Sequence, residues 1–335
     1  MSGGPSASVV RAAGLRKSFS PNRGIVAALL GSQGRTVEAV DDVSLEIRRG
    51  EIVSLVGESG SGKTTLGEVL TMLRPPSQGS ILLNDVDLCK LRPAKLRAYR
   101  RHMQIVFQDP YQSLDPRMTI FRTVAEPLVV NEDHPKAEVY ARVVSMLGSV
   151  GLSPAEAFLY KYPRELSGGQ RQRVAIARAL ILAPEFVVAD EPVSMLDVSV
   201  ASGILNLMLD LRSKLGTAFL FITHDLAVAR YISDRIGIMY RGRIVEIGRA
   251  ADVTGNPLHP YTRLLLSAIP LADTSAKRKR VVSDLETAEQ EMDAVGCKFQ
   301  FRCPLVMDVC RTAVPELVEI ESEHTVACYA YPSTE

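Results

Sequence analysis

A glycine-rich stretch between an apolar run and a helix-compatible segment constrains this chain more than any other feature. Residues 52–56, IVSLV, suit a buried strand, and residues 57–64, GESGSGKT, fit the spacing G-x-x-x-x-G-K-[ST] at every fixed position. The three glycines allow backbone N–H groups to converge, and a helix that begins near Lys63 adds the positive end of its dipole. The stretch predicts a loop that holds phosphate groups; the alternative is a glycine-rich turn that binds nothing.

Two side chains of this loop have chemistry suited to a bound nucleotide. Lys63 would reach the β and γ phosphates, and the hydroxyl of Thr64 would ligate Mg²⁺. Residues 65–73, which follow directly, are compatible with the helix that such a loop requires. The sequence around the loop therefore has the order strand, loop, helix.

The composition limits the classes of protein to consider. The 335 residues suffice for one large domain with a small one, or for two modest domains. Lys and Arg number 39 against 38 Asp and Glu, so the net charge is +1 and no broad nucleic-acid footprint is indicated. No apolar run approaches the roughly 18 residues of a membrane-spanning helix, and the start of the chain lacks the layout of a secretory signal. We expect a soluble, cytoplasmic protein.

The segments on either side of the loop predict strands and a short helical piece. We expect an edge strand at 9–19, a glycine-rich insertion at 21–35, a strand at 37–47 and a hairpin at 79–88 with Asn84 and Asp85 at its turn. A helical segment at 93–101 and a buried strand at 103–108 follow. Phe19, at a strand end, would stack on an adenine ring or simply join the core. Gln108 would be a ligand group at a strand end, or a solvated loop residue.

A second helix start predicts a second anion site. Residues 109–133 are rich in proline and polar residues, and 135–151 has a helical apolar pattern, so this block reads as a helical insertion. Near its end the motif LSGGQ at 166–170 places Ser167 as a natural N-cap. Gly168 and Gly169 then expose backbone N–H groups at the start of the next helix.

Two further apolar runs end in groups that suit phosphate chemistry. The apolar run 186–189 precedes two acidic residues, Asp190 and Glu191. A carboxylate here would hold the Mg²⁺ shell, and the next one along the chain would position or deprotonate a water. The alternative is a pair of solvated acids at the end of a strand. Asp197 follows within a few residues. His224 comes just after the apolar run 218–223. It would contact the γ phosphate, or it is a structural histidine.

Taken in order, these motifs resemble those of the ATP-binding cassette ATPases. The likeness covers about residues 9–270 and rests on the phosphate loop, Gln108, LSGGQ, the Asp190–Glu191 pair, Asp197 and His224. It implies an α/β fold: a P-loop nucleotide-binding domain with a mixed-sheet core, an antiparallel β subdomain and a helical subdomain. It also implies ATP and Mg²⁺ as ligands and hydrolysis of ATP as the reaction.

The resemblance also implies a role for each matched residue. Adenine would stack on Phe19, and the phosphates would bind Gly57, Glu58, Ser59, Gly60, Ser61, Gly62, Lys63, Thr64 and Thr65. Mg²⁺ would be held by Thr64 and Gln108, and through water by Asp190; Glu191 would be the general base and His224 a contact of the γ phosphate. Two cassettes would sandwich two nucleotides, with Ser167, Gly168, Gly169 and Gln170 on the ATP of the opposite subunit and Asp197 at the interface.

A narrower resemblance is to the ATPase subunits of bacterial dipeptide and oligopeptide importers. It rests on GSI at 79–81, VFQDPYQSLDP at 106–116, ADEPVS at 189–194 and NPLHPYT at 256–262. It implies two transmembrane permease subunits, a second ATPase subunit that is a paralogue or a copy, an extracytoplasmic substrate-binding protein, and a place on the cytoplasmic face of the membrane. The segment after Gln108 would form the groove for a permease coupling helix, unless it is an ordinary surface loop. Relatives in this group handle nickel complexes, glutathione or sugars.

Four of the five cysteines lie near the C-terminus, and their spacing matches neither common zinc modules nor the ferredoxin run. The arrangement GCKFQFRCP at 296–304 with HTVAC at 324–328 resembles the C-terminal domain of the same importer ATPases, which in some members carries a [4Fe-4S] cluster. By that resemblance Cys297, Cys303, Cys310 and Cys328 would hold such a cluster or, second, Zn²⁺. Buried free thiols and a disulfide are the alternatives, and a reducing cytoplasm disfavours the disulfide.

These inferences combine into one expectation about the whole chain. Residues 9–255 would form the nucleotide-binding domain, with its helical subdomain at about 109–180, and residues 256–335 a small cysteine-containing extension. The protein would hydrolyse ATP to drive peptide import. The competing hypotheses are a redox-regulated cassette protein and a soluble cassette protein acting on DNA or ribosomes; the latter class usually joins two cassettes in one chain or carries long basic insertions.

Overall fold

The computed structural model describes residues 8–20, 36–131, 134–268 and 295–331. The glycine-rich insertion predicted at 21–35 lies outside these residues. The strands are β1 (Ser8–Phe19), β2 (Val37–Arg48), β3 (Ile52–Val56), β4 (Gln78–Leu83), β5 (Val86–Asp87), β6 (Met103–Val106), β7 (Phe186–Asp190), β8 (Ala218–Thr223), β9 (Arg235–Tyr240), β10 (Arg243–Arg249), β11 (Val318–Glu321) and β12 (His324–Val326).

Helices alternate with most of these strands. They are α1 (Lys63–Leu70), α2 (Pro93–Tyr99), α3 (Pro110–Ser113), α4 (Ile120–Asn131), α5 (Lys136–Ser149), α6 (Gly168–Leu180), α7 (Val198–Leu215), α8 (Leu226–Ile232), α9 (Ala250–Gly255), α10 (Pro260–Ser267) and α11 (Asp308–Thr312). Across the described ranges, no helix is both long enough and apolar enough to cross a membrane.

The strands form two sheets. Their orders are β2-β1-β4-β5 and β11-β12-β10-β9-β3-β8-β7-β6. The larger sheet is mixed, as predicted, because β6, β7 and β8 are parallel whereas β9 and β10 are antiparallel. The prediction of β1 as an edge strand is wrong, since β1 lies between β2 and β4. Its partner β4 begins at Gln78, far along the chain, and the local pattern of β1 carries no information about that pairing.

The chain divides into two compact units, each drawn from several stretches of sequence. Of the described residues, unit 1 contains 8–13, 44–53 and 67–222, and unit 2 contains 14–20, 36–43, 54–66, 223–268 and 295–331. The C-terminal segment therefore belongs to the same unit as the phosphate loop. The domain boundaries expected from the sequence stay a prediction.

Unit 1 contains a parallel ladder whose strands are apolar on both faces. Every residue of β7 and β8 is buried, as parallel strands covered by helices require. The hairpin β4–β5 pairs Leu83 with Val86, and Asn84 and Asp85 both have positive φ, which confirms the predicted turn.

The helical block of unit 1 is built from α4, α5 and α6, which pack against one another. The helix predicted at 135–151 is confirmed as α5. The pattern at 109–133 gave no boundaries for α4, which contains Pro127. Proline disfavours a helix interior, but Val124 and Leu128 of α4 are fully buried, so packing offsets that local preference.

Unit 2 joins the C-terminal segment to the β9–β10 hairpin. Strand β12 pairs with β10 through Glu246 and Val326, and β11 pairs with β12. In the same unit, the rings of Tyr240, Tyr261 and Phe299 form a buried aromatic cluster. The ring centroids are 4.6 Å apart for Tyr240 and Tyr261, 5.3 Å for Tyr240 and Phe299, and 5.5 Å for Tyr261 and Phe299. Burial of such large apolar surfaces stabilises the attachment of the segment that contains Phe299.

Candidate functional site

The predicted phosphate loop connects β3 to α1. Its first and last glycines pack closely against backbone carbonyl groups of other segments. A Cβ on Gly57 would lie 2.1 Å from the carbonyl oxygen of Met239, and one on Gly62 would lie 2.1 Å from that of Ala39. Gly62 also has a φ of +103°, a conformation that side chains with a Cβ rarely adopt. The two glycines are therefore required by close backbone contacts as well as by the turn itself.

Lys63 folds its ammonium group back onto the loop. Its Nζ donates to the carbonyl oxygens of Gly57 and Glu58 at 2.7 and 2.8 Å and to the hydroxyl of Ser61 at 3.2 Å. The residue is only 6 % exposed, so its charge lies inside the loop. Phosphate oxygens form stronger, charge-assisted hydrogen bonds with an ammonium group than neutral carbonyls do. The arrangement is thus suited to receive a phosphate.

Other residues of the loop are accessible. Glu58, Ser59, Gly60 and Thr64 are exposed, and Thr65 is half-buried. The positive end of α1 lies at this accessible side because the helix begins at Lys63. A ligand that carries phosphate groups can therefore reach the N–H groups of the loop and the Thr64 hydroxyl.

Glu58 is held by residues that the sequence analysis did not single out. Its backbone N–H donates to the hydroxyl of Tyr261 at 2.9 Å, and its carboxylate accepts two hydrogen bonds from Arg302, at 2.9 and 3.0 Å. Tyr261 and Arg302 lie 203 and 244 positions further along the chain. Tyr261 occurs in the segment NPLHPYT and Arg302 beside Cys303, so both fall in noted motifs, but nothing in the motifs indicates these contacts.

In unit 1, two of the three predicted magnesium residues, Gln108 and Asp190, and the predicted general base Glu191 lie at or just after the ends of β6 and β7. Asp190 is the last residue of β7 and is 3 % exposed. Glu191 has a φ of +44° and donates its N–H to the carbonyl of Ile222 at 2.9 Å. Nε2 of Gln108 donates to Oε2 of Glu191 at 3.0 Å, so the structure brings these two candidates together.

The motif at 166–170 forms a capped helix start, as predicted. The Ser167 hydroxyl accepts from the N–H of Gln170 at 3.3 Å, and Oε1 of Gln170 accepts from the N–H of Ser167 at 3.0 Å. This reciprocal pair is a capping box, and it fixes the first turn of α6. The amides of Gly168 and Gly169 lie in that turn, where the helix dipole favours an anion.

The segment after Gln108 contacts the helix that begins with this motif. The guanidinium of Arg171 lies 3.8 Å from the centre of the Tyr111 ring, and a side-chain nitrogen of Arg178 donates to the carbonyl of Ser113 at 2.6 Å. Burial lowers the pKa of Arg178. Tyr111 remains 62 % exposed, so the segment has a free aromatic face as well as its contact with α6.

The remaining candidates lie at the ends of elements. Phe19 is the last residue of β1 and is half-buried, with Nζ of Lys17 5.5 Å from its ring centre. Asp197 is exposed at the N-cap position of α7, and His224 is exposed directly after β8. The positions of Phe19 and His224 at strand ends agree with the sequence analysis, and the roles of all three residues stay predictions.

The four C-terminal cysteines line one small cavity. Cys297, Cys303, Cys310 and Cys328 surround a space of about 10 Å³, and all four are free thiols. Burial raises the pKa of Cys297 to about 11, so this thiol stays protonated at neutral pH. Within the described part of the chain, no group of three or more His, Cys, Asp or Glu residues is arranged to hold a metal ion. The structure brings the four cysteines to one cavity, but not in an arrangement that would hold a metal ion.

The chain matches two protein families. Residues 40–194 match the family described as ABC transporter, and residues 245–310 match the family described as oligopeptide/dipeptide transporter, C-terminal region. The first match contains the phosphate loop, the capped helix start and the acids Asp190 and Glu191 at the end of β7. The second contains Tyr261, Arg302 and three of the four clustered cysteines.

Curated relatives are similar over most of their length. A putative peptide import ATP-binding protein of Brucella ovis is 46% identical over 89% of this chain and 93% of its own. The putative oligopeptide transport ATP-binding protein YkfD of Bacillus subtilis is 46% identical over 90% and 92%. The oligopeptide transport ATP-binding protein AppF of the same organism is 42% identical over 95% of each chain.

Solved structures with a similar fold include two ATP-binding cassettes. The cassette MJ0796, solved as a dimer in a post-hydrolysis state bound to ADP and Pi, is 30% identical with a TM-score of 0.63, and the match covers 72% of this chain and 98% of that one. The protein cbiO1 from Clostridium perfringens, part of an ABC transporter complex, is 27% identical with a TM-score of 0.63, over 74% and 91%.

Proposed function

Because this chain belongs to the ABC transporter family, among the ATP-binding subunits of peptide importers, we propose that it hydrolyses ATP to power the import of di- or oligopeptides across the bacterial cytoplasmic membrane. The observation that carries the proposal is the phosphate loop, in which the buried ammonium of Lys63 is held by three oxygen acceptors beside an accessible helix start. The products are ADP and phosphate, and Mg²⁺ is the metal that accompanies the nucleotide.

Each group of residues has one task in this proposal. Phe19 stacks on adenine, and residues 57–65 bind the phosphates. Thr64 and Gln108 hold Mg²⁺, and Asp190 acts on its water shell. Glu191 orients and deprotonates the attacking water, and His224 contacts the γ phosphate. The support is positional: each of these side chains lies at the end of a strand or at the start of a helix, where ligand groups of α/β proteins occur.

The capped helix start serves the nucleotide of a second cassette. Ser167, Gly168, Gly169 and Gln170 close over the ATP of the opposite subunit, and Asp197 lies at the interface. ATP binding closes the pair and hydrolysis reopens it, so that the chemical step drives a movement. The exposure of Ser167 and Asp197 agrees with a surface that a partner covers.

Two transmembrane permease subunits receive that movement, and an extracytoplasmic binding protein delivers the substrate. The cassette lies on the cytoplasmic face of the membrane, with a paralogue or a second copy as its partner. The segment 109–116 is the proposed docking site for a permease helix. Its exposed Tyr111 and its contact with α6 through Arg171 would connect a permease to the helix start that faces the second nucleotide.

A metal centre at the four C-terminal cysteines is a separate proposal. Its first candidate is a [4Fe-4S] cluster, and its second is Zn²⁺. It is argued from the cavity that the four cysteines share, and each ligand thiol would lose its proton when the metal binds. No step of ATP hydrolysis passes through it. Anaerobic purification followed by iron, sulfide and zinc analysis tests it: about four irons per chain would support the cluster, and metal-free protein in which all five cysteines titrate as thiols would refute it.

The function is tested in membranes and in whole cells. Affinity purification of the chain from detergent-solubilised native membranes should recover two polytopic permeases. A deletion strain should lose uptake of labelled di- or oligopeptides and keep uptake of nickel complexes, glutathione and sugars. Loss of one of those three instead, with peptide uptake intact, would reassign the substrate. Recovery of soluble proteins or nucleic acid alone, from complexes that survive the detergent, would contradict the transport function.

A further inference from the structure

One residue of the phosphate loop is anchored at every polar group that it has. The N–H of Glu58 donates to the hydroxyl of Tyr261 at 2.9 Å, and its carbonyl accepts from Lys63 at 2.8 Å. Its carboxylate accepts from two nitrogens of Arg302, at 2.9 and 3.0 Å. We call Glu58, Tyr261 and Arg302 the loop clamp.

The two anchors lie outside the strand–loop–helix motif, on rigid parts of unit 2. Tyr261 is fully buried in α10, and its ring contacts Tyr240 and Phe299. Arg302 is 15 % exposed, its N–H donates to the carbonyl of Phe299 at 3.1 Å, and its guanidinium lies 5.8 Å from the centre of that ring. Because both anchors are fixed by the same aromatic cluster, they hold Glu58 in one position.

The charge of Glu58 is the physical reason that such a clamp matters. Glu58 is the acidic residue of the loop at 57–64, and the proposed ligand of that loop is a polyphosphate. An unpaired carboxylate there would repel the phosphates, and the repulsion between like charges is strong at short separations near a protein surface. The bidentate pair with Arg302 neutralises that charge, and the same pair raises the pKa of Arg302 above its usual range.

We propose that Arg302 and Tyr261 are positioning residues of the nucleotide site: Arg302 neutralises and orients the Glu58 carboxylate, and Tyr261 fixes the Glu58 amide. Neither residue touches the reacting atoms, so the clamp sets the affinity for nucleotide and leaves the chemical step unchanged. This inference rests on the proposed function, because it needs a phosphate ligand in the loop. It assigns to Tyr261 and Arg302 an indirect part in nucleotide binding, through Glu58.

The test compares MgATP binding and turnover of the full-length chain and its variants. Arg302→Ala should raise Kd and KM for MgATP about tenfold, which corresponds to about 1.4 kcal/mol, and should leave kcat at saturating MgATP within about twofold. Tyr261→Phe keeps the ring but loses the hydroxyl, and it should raise Kd about threefold. Arg302→Lys, which keeps the charge without the bidentate geometry, should lie between wild type and Arg302→Ala.

A double variant separates charge neutralisation from a general loss of structure. In Glu58→Gln the charge is gone, so adding Arg302→Ala should change Kd by no more than about twofold. Arg249→Ala is the matched control, because Arg249 forms its ion pair with Glu323, at 2.9 Å in the same unit, and not with Glu58. That variant should bind MgATP as wild type does.

Each outcome bears on one hypothesis. If Arg302→Ala and Arg302→Lys bind MgATP as tightly as wild type, the clamp is wrong. If Arg302→Ala weakens binding equally with and without Glu58→Gln, or if kcat falls with the affinity, the neutralising role is wrong. If wild type fails to bind MgATP, or if Lys63→Ala binds it equally well, the proposed function fails before the clamp is in question.

Discussion

The backbone of Glu191 leaves the extended conformation as soon as β7 ends. Its φ of +44° is in the left-handed region, which costs a residue with a Cβ about 1–2 kcal/mol. The N–H bond to Ile222 at 2.9 Å and the bonds from Ser194 to the Glu191 carbonyl, at 3.0 and 3.2 Å, hold this conformation. The turn carries the carboxylate to the side chain of Gln108, so a strained residue lies at the position proposed for the general base.

Glu191→Gln should bind ATP but not hydrolyse it. The amide cannot accept a proton from water, and general-base catalysis contributes about 10²- to 10⁴-fold, so turnover should fall by that factor. Because glutamine keeps the shape of the glutamate side chain, ATP binding should persist and a closed dimer with bound ATP should accumulate. Size-exclusion chromatography would detect this dimer. Hydrolysis at the wild-type rate in this variant would remove Glu191 from its role.

Helix α10 depends on a buried polar network centred on β10. Glu246 is fully buried and accepts from the N–H groups of Leu258 and His259 at 2.9 and 2.8 Å, from Thr262 at 2.5 Å, and lies 2.8 Å from Nε2 of His324. A buried carboxylate is stable only when it is satisfied in this way. The network therefore joins β10, the start of α10 and β12, which contains His324.

His259 caps α10, and its titration should make stability depend on pH. Its Nδ1 accepts from the N–H of Tyr261 at 3.0 Å, and burial lowers its pKa from 6.5 to about 3. Between those values the unfolded chain binds a proton that the folded chain does not, so stability is complete above about pH 6.5 and falls as the pH falls, by at most about 1.4 kcal/mol per pH unit.

His259→Asn tests this dependence, because asparagine also caps a helix but does not titrate. At neutral pH we expect a lower melting temperature, since the contact of the His259 ring with Phe299 at 5.7 Å is lost. The loss of melting temperature between pH 6.5 and pH 4 should then be smaller than in wild type. Equal pH profiles in thermal unfolding would show that His259 is protonated in the folded state or does not control stability.

At the scale of the whole molecule, the proposed function needs two chains, and this requirement can be tested by mixing two inactive variants. Lys63→Ala removes the phosphate loop of one chain, and Ser167→Arg blocks the capped helix start of another. A mixed dimer combines the intact loop of one chain with the intact helix start of the other. Mixing should restore up to about a quarter of wild-type turnover, because half of the dimers are mixed and each has one complete site.

The mixing experiment can be interpreted in this form when the wild-type chain alone hydrolyses ATP as a pair of identical chains. Under those conditions a mixture that stays as inactive as each variant would contradict the arrangement in trans. If wild type is active only with a paralogue, each variant is combined with the complementary variant of that paralogue: Lys63→Ala with a paralogue whose helix start is blocked, and Ser167→Arg with one whose phosphate loop is disabled. The readout in both cases is phosphate release at saturating MgATP.

Most of the fold follows from local sequence. The strand–loop–helix order around Lys63, the hairpin turn at Asn84 and Asp85, and the capped start of α6 were each predicted and confirmed. These features depend on neighbours within a few residues, through φ preferences, capping and apolar periodicity. The same is true of the placement of Gln108, Glu191 and His224 at or just beyond strand ends.

Pairings between distant segments were decided only by the tertiary structure. The place of β1 inside its sheet, the persistence of α4 through Pro127, and the anchoring of Glu58 by Tyr261 and Arg302 involve partners that no local pattern identifies. Local propensities contribute a few tenths to about 1 kcal/mol for most residues and about 3 kcal/mol against proline in a helix, and burial of several large side chains together contributes more, so packing prevails where the two conflict. The sequence by itself determined that this chain has a phosphate loop; tertiary packing decided which residues hold that loop in place.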